Sequence, residues 1–380
     1  MLTRNLWALA ACAASVTAET PSWYDSNRVH LHTRMALCGS FLREPISKYG
    51  ECIGQNWLQL AEDHTDESTL PYWWSRVETL NETTAEWDKL PFEQRNTFWD
   101  LASNVKRANA HVVTRGMKFA QEGPWWPSQA ADGAVPMHPD VTKYDSKTNG
   151  DLAHTLLADS EQQGVHTIAY YRHPDDLWGE LHHSEWIARD RADEDVMTND
   201  RGKWMSLTSE YGDYVVQRVV ELVERGASGI YFDERHVPEA GDFNMASREM
   251  YADVHPDRTS LLDADEKQVK NFRQLQIETF FSKVVAAVDA VATDRVVLVS
   301  ANQVAADTIR RAGAVPKTEP HLLGTIGGVE FGCSVLTDTA GGYPHVWVTM
   351  AHTEEVYSTY LAYGCIYNRD VREVNYIMKY

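Results

Sequence analysis

The sequence lacks any excess of positive charge: 35 Lys and Arg stand against 55 Asp and Glu, a formal charge of −20. With a pI near 5.1, nucleic acid is not an expected partner, because such binding needs a basic face that replaces counterions. The expected ligand is a neutral or cationic small molecule or polymer. Past the amino end there is no apolar run long enough for a membrane helix, so no membrane span is expected. Gly-x-Gly-x-x-Gly, His-Glu-x-x-His and Gly-x-Ser-x-Gly are all missing. That removes the dinucleotide-binding turn, the zinc-protease helix and the serine-hydrolase elbow from the reading. Cys-x-x-Cys is also missing, which argues against a structural zinc site. No cofactor is expected. There is no internal repeat and no low-complexity linker, so a single domain is expected.

What is present is ordinary globular composition over 380 residues, 43% hydrophobic and 24% charged. Thirteen Trp and 17 Tyr are many for this length. Residues 1–18 read MLTRNLWALAACAASVTA, one Arg, an apolar run and a small-x-small site, the arrangement of a secretory signal. The expectation is a signal segment 1–18, a domain 19–380 and a secreted, periplasmic or extracellular location. Leu9-Ala10-Ala11-Cys12 is the competing lipobox-like reading, which would anchor the chain by a lipid on Cys12; an ordinary buried N-terminal helix is the third. The remaining cysteines, Cys38, Cys52, Cys333 and Cys365, permit disulfides in three connectivities, with Cys38–Cys52 the easier pair to close. Asn81-Glu82-Thr83 is a glycosylation sequon if the source is eukaryotic.

Short apolar runs alternate with amphipathic stretches. Candidate strands are Val29–Met35, Ala110–Arg115, Val165–Tyr171, Gly229–Asp233, Val296–Ser300, Gly327–Phe331, His345–Met350 and Gly364–Tyr367. Candidate helices are Pro91–Ala110, Asp213–Arg225 and Lys267–Ala292, the last with its apolar face interrupted only by Gln276. Helix, tight loop and buried strand in repetition imply a parallel sheet. Eight strands with no phosphate-binding turn after the first predict an α/β fold of the (β/α)8 TIM-barrel type. Its loops after strands one and three are elaborated, spanning Ala36 to Asn109 and Arg172 to Tyr211.

Barrel active sites lie at the carboxyl ends of the strands. Gly229-Ile230-Tyr231-Phe232 ends in Asp233-Glu234-Arg235-His236, four ionisable groups at one rim, with Arg235 available to pair with the carboxylates. The sixth candidate strand carries Glu330 between glycines. Two carboxylates across a barrel mouth are the apparatus of glycoside hydrolysis, one as nucleophile or base and one as acid. Around them, Arg115, Tyr171, His173, Asn302 and His32, with Glu234, Arg235 and His236, are expected to bind substrate. Trp186 and Trp204, with Trp125, Trp126 and Trp178, are candidate stacking surfaces for sugar faces.

From His183 to Pro238 the residues resemble a known family. His183-Ser184-Glu185-Trp186, Gly202-Lys203-Trp204-Met205-Ser206-Leu207 and Ser228-Gly229-Ile230-Tyr231-Phe232-Asp233-Glu234 look like the hypothetical glycosyl hydrolases related to α-L-fucosidases and α-amylase-type barrels. The resemblance is specific over roughly 164–238 and looser through 302. It implies a (β/α)8 catalytic domain with Asp233 as the retaining nucleophile on strand four and Glu330 as the acid/base from strand six. Strand five, where amylase-like barrels place the acid, offers only Ser300-Ala301-Asn302. The expectation is a secreted retaining glycoside hydrolase acting on an oligo- or polysaccharide. The alternatives are a non-catalytic carbohydrate-binding barrel and, on His30-Leu31-His32, a metal-dependent amidohydrolase barrel.

Overall fold

The computed structural model describes residues 21–26, 29–33, 102, 111–118, 123–133, 135–137, 149–198, 202–233, 235–257, 260–301, 304–318, 345–347 and 366–370. The signal segment, all five cysteines and the candidate helix Pro91–Ala110, apart from Ala102, lie outside these. Among the described residues eight strands pair in chain order, all parallel: β1 Val29–Thr33, β2 Val112–Lys118, β3 His166–Arg172, β4 Gly229–Asp233, β5 Val296–Ser300, β6 Val315–Thr318, β7 His345–Trp347 and β8 Ile366–Asp370. β8 pairs back to β1, so the ladder is a ring.

Seven α-helices are described: α1 Ser22–Ser26, α2 Leu152–Gln162, α3 Leu177–His182, α4 Glu210–Glu224, α5 Met245–Val254, α6 Glu266–Val291 and α7 Ala306–Arg311. α4 starts where the Ser209 side chain accepts from the Tyr211 N–H, with Glu210 and Asp213 in its first turn. It buries Tyr211, Val215, Val219 and Leu222. It stops before Gly226, whose φ of 104° a side chain would resist. α6 opens on an Asp265–Gln268 capping box. It buries Phe272, Ile277, Phe280, Phe281, Val284 and Val288, each worth roughly 1.5–3 kcal/mol of apolar transfer. Gln276 interrupts that face, and its buried amide is partly satisfied, Nε2 donating to Ser247 Oγ at 3.0 Å. At Gly229 a Cβ would lie 2.5 Å from the Val296 side chain, so glycine lets β4 and β5 approach.

One strand differs from the sequence expectation. The sixth is Val315–Thr318, and it pairs directly with β5 and β7. Gly327–Phe331 therefore has no place between them; it falls in the connection from β6 to β7, outside the described residues. Val-Pro-Lys-Thr hides as a strand because proline lacks a donor and lysine breaks the apolar run. Smaller shifts of one to three residues occur at the other strand ends.

The described part of the polar stretch after β3 carries regular structure. It contains α3, a 3-10 turn at Ser184–Trp186 and antiparallel bridges Ile187↔Met205, Arg189↔Asp195 and Met197↔Lys203. Buried Asp242 fastens this excursion to the loop after β4. It accepts from Ser206 Oγ at 2.5 Å, Ser247 Oγ at 2.8 Å, Asn244 N at 3.0 Å and Arg189 N at 3.4 Å. Beside it Phe243, Tyr251, Leu261 and Phe272 form a small second core.

Candidate active site

Strand alternation sorts the rim residues. On β3 and β4, Tyr170 is in register with Tyr231, and Arg172 with Asp233. These face the ring interior, as Lys317 of β6 confirms: its Nζ sits 3.5 Å from the Tyr231 ring centroid, two strands away. The intervening residues face the helices. Tyr171 lies against Arg218 of α4 at 5.5 Å, and Phe232 meets Phe281 of α6 at 5.1 Å.

Asp233 ends β4 with 2% exposure. Tyr170 Oη donates to its Oδ2 at 2.8 Å and Tyr231 Oη to its Oδ1 at 2.9 Å. The two phenol rings are 5.6 Å apart and edge-on. Two hydroxyl donors, one on each oxygen, favour the charged carboxylate. Such a group is suited to attack or to hold positive charge, and not to give up a proton. Arg172, in register with it, has its Nε 3.6 Å from the buried Asp175 carboxylate. Ser300 of β5 is in register with Lys317.

The substrate-binding expectations are largely corrected by this geometry. Tyr171 and His173 point away from the ring, one residue out of phase with Tyr170 and Arg172. Arg115 alternates to the same outer side. It is in register with Ala169, and the opposing charge that partly offsets its burial is Asp159 of α2. His236 is buried and stacks on His173 at 5.1 Å. Arg235 pairs with exposed Glu239 at 3.3 Å, and not with Asp233. Trp186 packs against His183, Trp178 and Tyr214. Trp204 belongs to the excursion after β3, where its amide donates to the Val196 carbonyl at 2.7 Å. Trp125, Trp126 and Trp178 are also buried, Trp126 Nε1 donating to Glu221 at 2.6 Å. These five tryptophans are therefore buried in packing. Glu234, Asn302, Glu330 and the side chain of His32 lie outside the described residues; the His32 backbone is in register with Thr114 and Asp370. Among the described residues no group of three or more His, Cys, Asp or Glu is placed to hold a metal. Nor is any helix among them long and apolar enough to cross a membrane. Tyr170 and Arg172 stood beside Tyr171 and His173 among the strand-three candidates of the sequence without being singled out; Lys317 was missed, and no signal in the sequence pointed to it.

The His173–His236 pair fixes its own tautomers. His236 Nε2 faces the Ser300 carbonyl at 2.8 Å and must donate. Its Nδ1, 3.2 Å from His173 Nε2, then accepts from it. Burial pushes His236 down to about 4, partly opposed by the Ser300 carbonyl and Asp233. Burial, with His236, Lys118 and Arg172 nearby, holds His173 well below its ordinary 6.5. The unfolded chain takes up these protons near 6.5 and the folded chain does not, so their contribution to stability is complete above that pH and is lost as pH falls toward 4. At about 1.36 kcal/mol per pH unit, His236 alone accounts for about 3 kcal/mol. Urea unfolding at pH 7, 5.5 and 4.5 should record that loss, and His236→Gln should flatten it; a parallel decline in both proteins would refute the assignment.

A parallel strand ring with a buried carboxylate at the end of its fourth strand defines the α/β class of barrel. Comparison with known proteins agrees. The chain is similar in structure to α-L-fucosidase isoenzyme 2 from Paenibacillus thiaminolyticus, with a TM-score of 0.56 and 18% identity over 74% of this chain and 44% of that one. It is similar also to a catalytic mutant of a GH42 β-galactosidase from G. stearothermophilus (TM-score 0.52, 11% identity, 73% and 49% covered). A third is the β-galactosidase of Marinomonas ef1 (0.51, 11%, 74% and 52%). The structural neighbours are thus glycosyl hydrolase barrels, and at these identities the likeness is one of fold. The chain spans about half the length of each. No family model and no curated protein matches it.

Proposed function

We propose that the protein is a glycoside hydrolase of the (β/α)8 type that works with retention, Asp233 attacking the anomeric carbon. The observation that carries this is the Asp233 carboxylate at the carboxyl end of β4, with a tyrosine hydroxyl donating to each of its oxygens. The glycosidase barrels among its structural neighbours support the same reading. Tyr170 and Tyr231 hold the nucleophile. Arg172, steadied by Asp175, sits beside it to meet sugar hydroxyls. The acid/base is Glu330, carried by the segment that leaves β6 and not by the strand itself. Secretion behind the 1–18 segment and a disulfide among Cys38, Cys52, Cys333 and Cys365 complete the proposal.

The test is a panel of aryl glycosides and plant or algal polysaccharides, with the anomer of the first-formed product followed by proton NMR. Retention is expected. Glu330→Ala should lose about 10²–10⁴-fold on substrates with poor leaving groups and much less on activated aryl glycosides, because only the former need a general acid. Equal losses on both would remove Glu330 from that role. The runner-up, a carbohydrate-binding barrel without turnover, draws on the 2% exposure of Asp233. Sugar binding with no product from any glycoside would favour it.

A further inference from the structure

Lys317 was not singled out by any sequence pattern, yet it occupies the interior of the ring with no solvent exposure. It is fixed there by its strand: its carbonyl accepts from Ala301 N at 2.7 Å, and it is in register with Ser300 on one side and His345 on the other. A buried ammonium is costly to desolvate and is retained where something nearby compensates it. Here that includes the face of Tyr231, 3.5 Å from Nζ to the ring centroid. A cation over an aromatic face draws on the ring's π-electrons. It thereby makes the phenol a stronger donor, and hydrogen bonds in series strengthen one another in a low-dielectric interior. The Tyr231 hydroxyl donates to Asp233. Lysine, ring and carboxylate form one line.

We propose that Lys317 is a positioning residue for Asp233, acting through Tyr231 to hold the carboxylate charged and its Oδ1 oriented for attack. This rests on the reading of Asp233 as nucleophile. Among the described residues the other groups facing these three are the following; Glu234 and Glu330 lie outside them. From β3 come Tyr170, a second donor, and Arg172, whose charge is offset by Asp175 at 3.6 Å. His236, after β4, is neutral at working pH and lies within the electrostatic reach of Asp233. β5 contributes Ser300, which is uncharged. β7 contributes His345 at the register position of Lys317, its side chain outside the described residues. A purely structural lysine, tying β6 to β4, would lower stability when removed but leave the titration of Asp233 where it was.

The experiment is carboxyl-carbon NMR of the full chain labelled at aspartate, with Asp233→Asn identifying the resonance. In the wild type Asp233 should titrate below the ordinary aspartate value of about 3.9; a midpoint at or above it overturns the proposal without any variant. In Lys317→Met the midpoint should rise by about one pH unit or more, and Lys317→Gln is the second variant should the first not fold. An unchanged midpoint in either folded variant overturns the proposal. If an aryl glycoside is turned over, the acidic limb of kcat/KM should move up with the NMR midpoint. A protein that hydrolyses no glycoside but shows the shift loses the hydrolase reading and keeps the coupling of Lys317 to Asp233.

Discussion

Asp233→Asn should lower turnover of an aryl glycoside by about a thousandfold or more while leaving sugar affinity within a few-fold of wild type. The amide is nearly the size of the carboxylate. Its oxygen can still accept from one tyrosine, and its nitrogen can donate to the hydroxyl oxygen of the other, so the Tyr170 and Tyr231 contacts need not be abandoned. What disappears is the negative charge that would attack the anomeric carbon. Steady-state kinetics together with calorimetric binding separate the two effects. Loss of binding in proportion to turnover would mean that Asp233 is a ligand contact and no nucleophile. Activity within tenfold of wild type would remove it from the chemistry altogether.

The second large effect lies behind the barrel wall. Asp176 accepts from Arg218 Nη1 at 2.9 Å, and Lys118 Nζ lies 3.9 Å away, all three side chains nearly or wholly buried. Asp176 also caps α3, accepting from Gly179 N at 3.0 Å. Arg218 Nη1 reaches the Tyr214 hydroxyl at 2.8 Å, and Lys118 Nζ donates to the Asp175 carbonyl at 2.7 Å. Burial already lowers Lys118 to about 8 against the pull of Asp176 and Asp175. Asp176→Ala would leave two buried cations facing each other with their shared anion gone. Removing one partner of a buried pair costs about 3–5 kcal/mol. At roughly 1–1.5 °C per kcal/mol for a domain of about 360 residues, the melting temperature should fall by about 5 °C. Differential scanning calorimetry at pH 7 reads this directly, and a fall of under about 2 °C would mean that water or a rearranged Tyr214 replaces the carboxylate.

Much of the barrel was legible because its determinants are local. Val296–Ser300 is an unbroken apolar run of strand length, and β5 has those bounds. Lys267–Ala292 repeats its apolar face with helical period, and α6 runs Glu266–Val291. Asp233 stood out as an abrupt carboxylate at the end of an apolar strand, and the structure puts it at the end of β4. Its partners were misread. Of the four candidates at the end of strand three, Tyr171 and His173 were put forward, whereas it is Tyr170 that contacts Asp233 and Arg172 that is in register with it; a slip of one position sends every side chain to the opposite face. Both faces of a barrel strand are buried, so β3 shows no polar alternation to reveal which side is which.

The parallel α/β architecture, the long helix α6 and the carboxylate at the end of β4 could be read from the amino acids alone, since each follows from periodicity or from polarity breaking within a few neighbouring residues. That β6 is Val315–Thr318, that Lys317 lies over Tyr231, and that two phenols 61 residues apart in the chain share one carboxylate emerged from the folded chain. Those facts depend on which strands become neighbours and on which face each side chain takes. A ring of parallel strands fixes both only when it closes, through contacts between segments that carry no trace of one another.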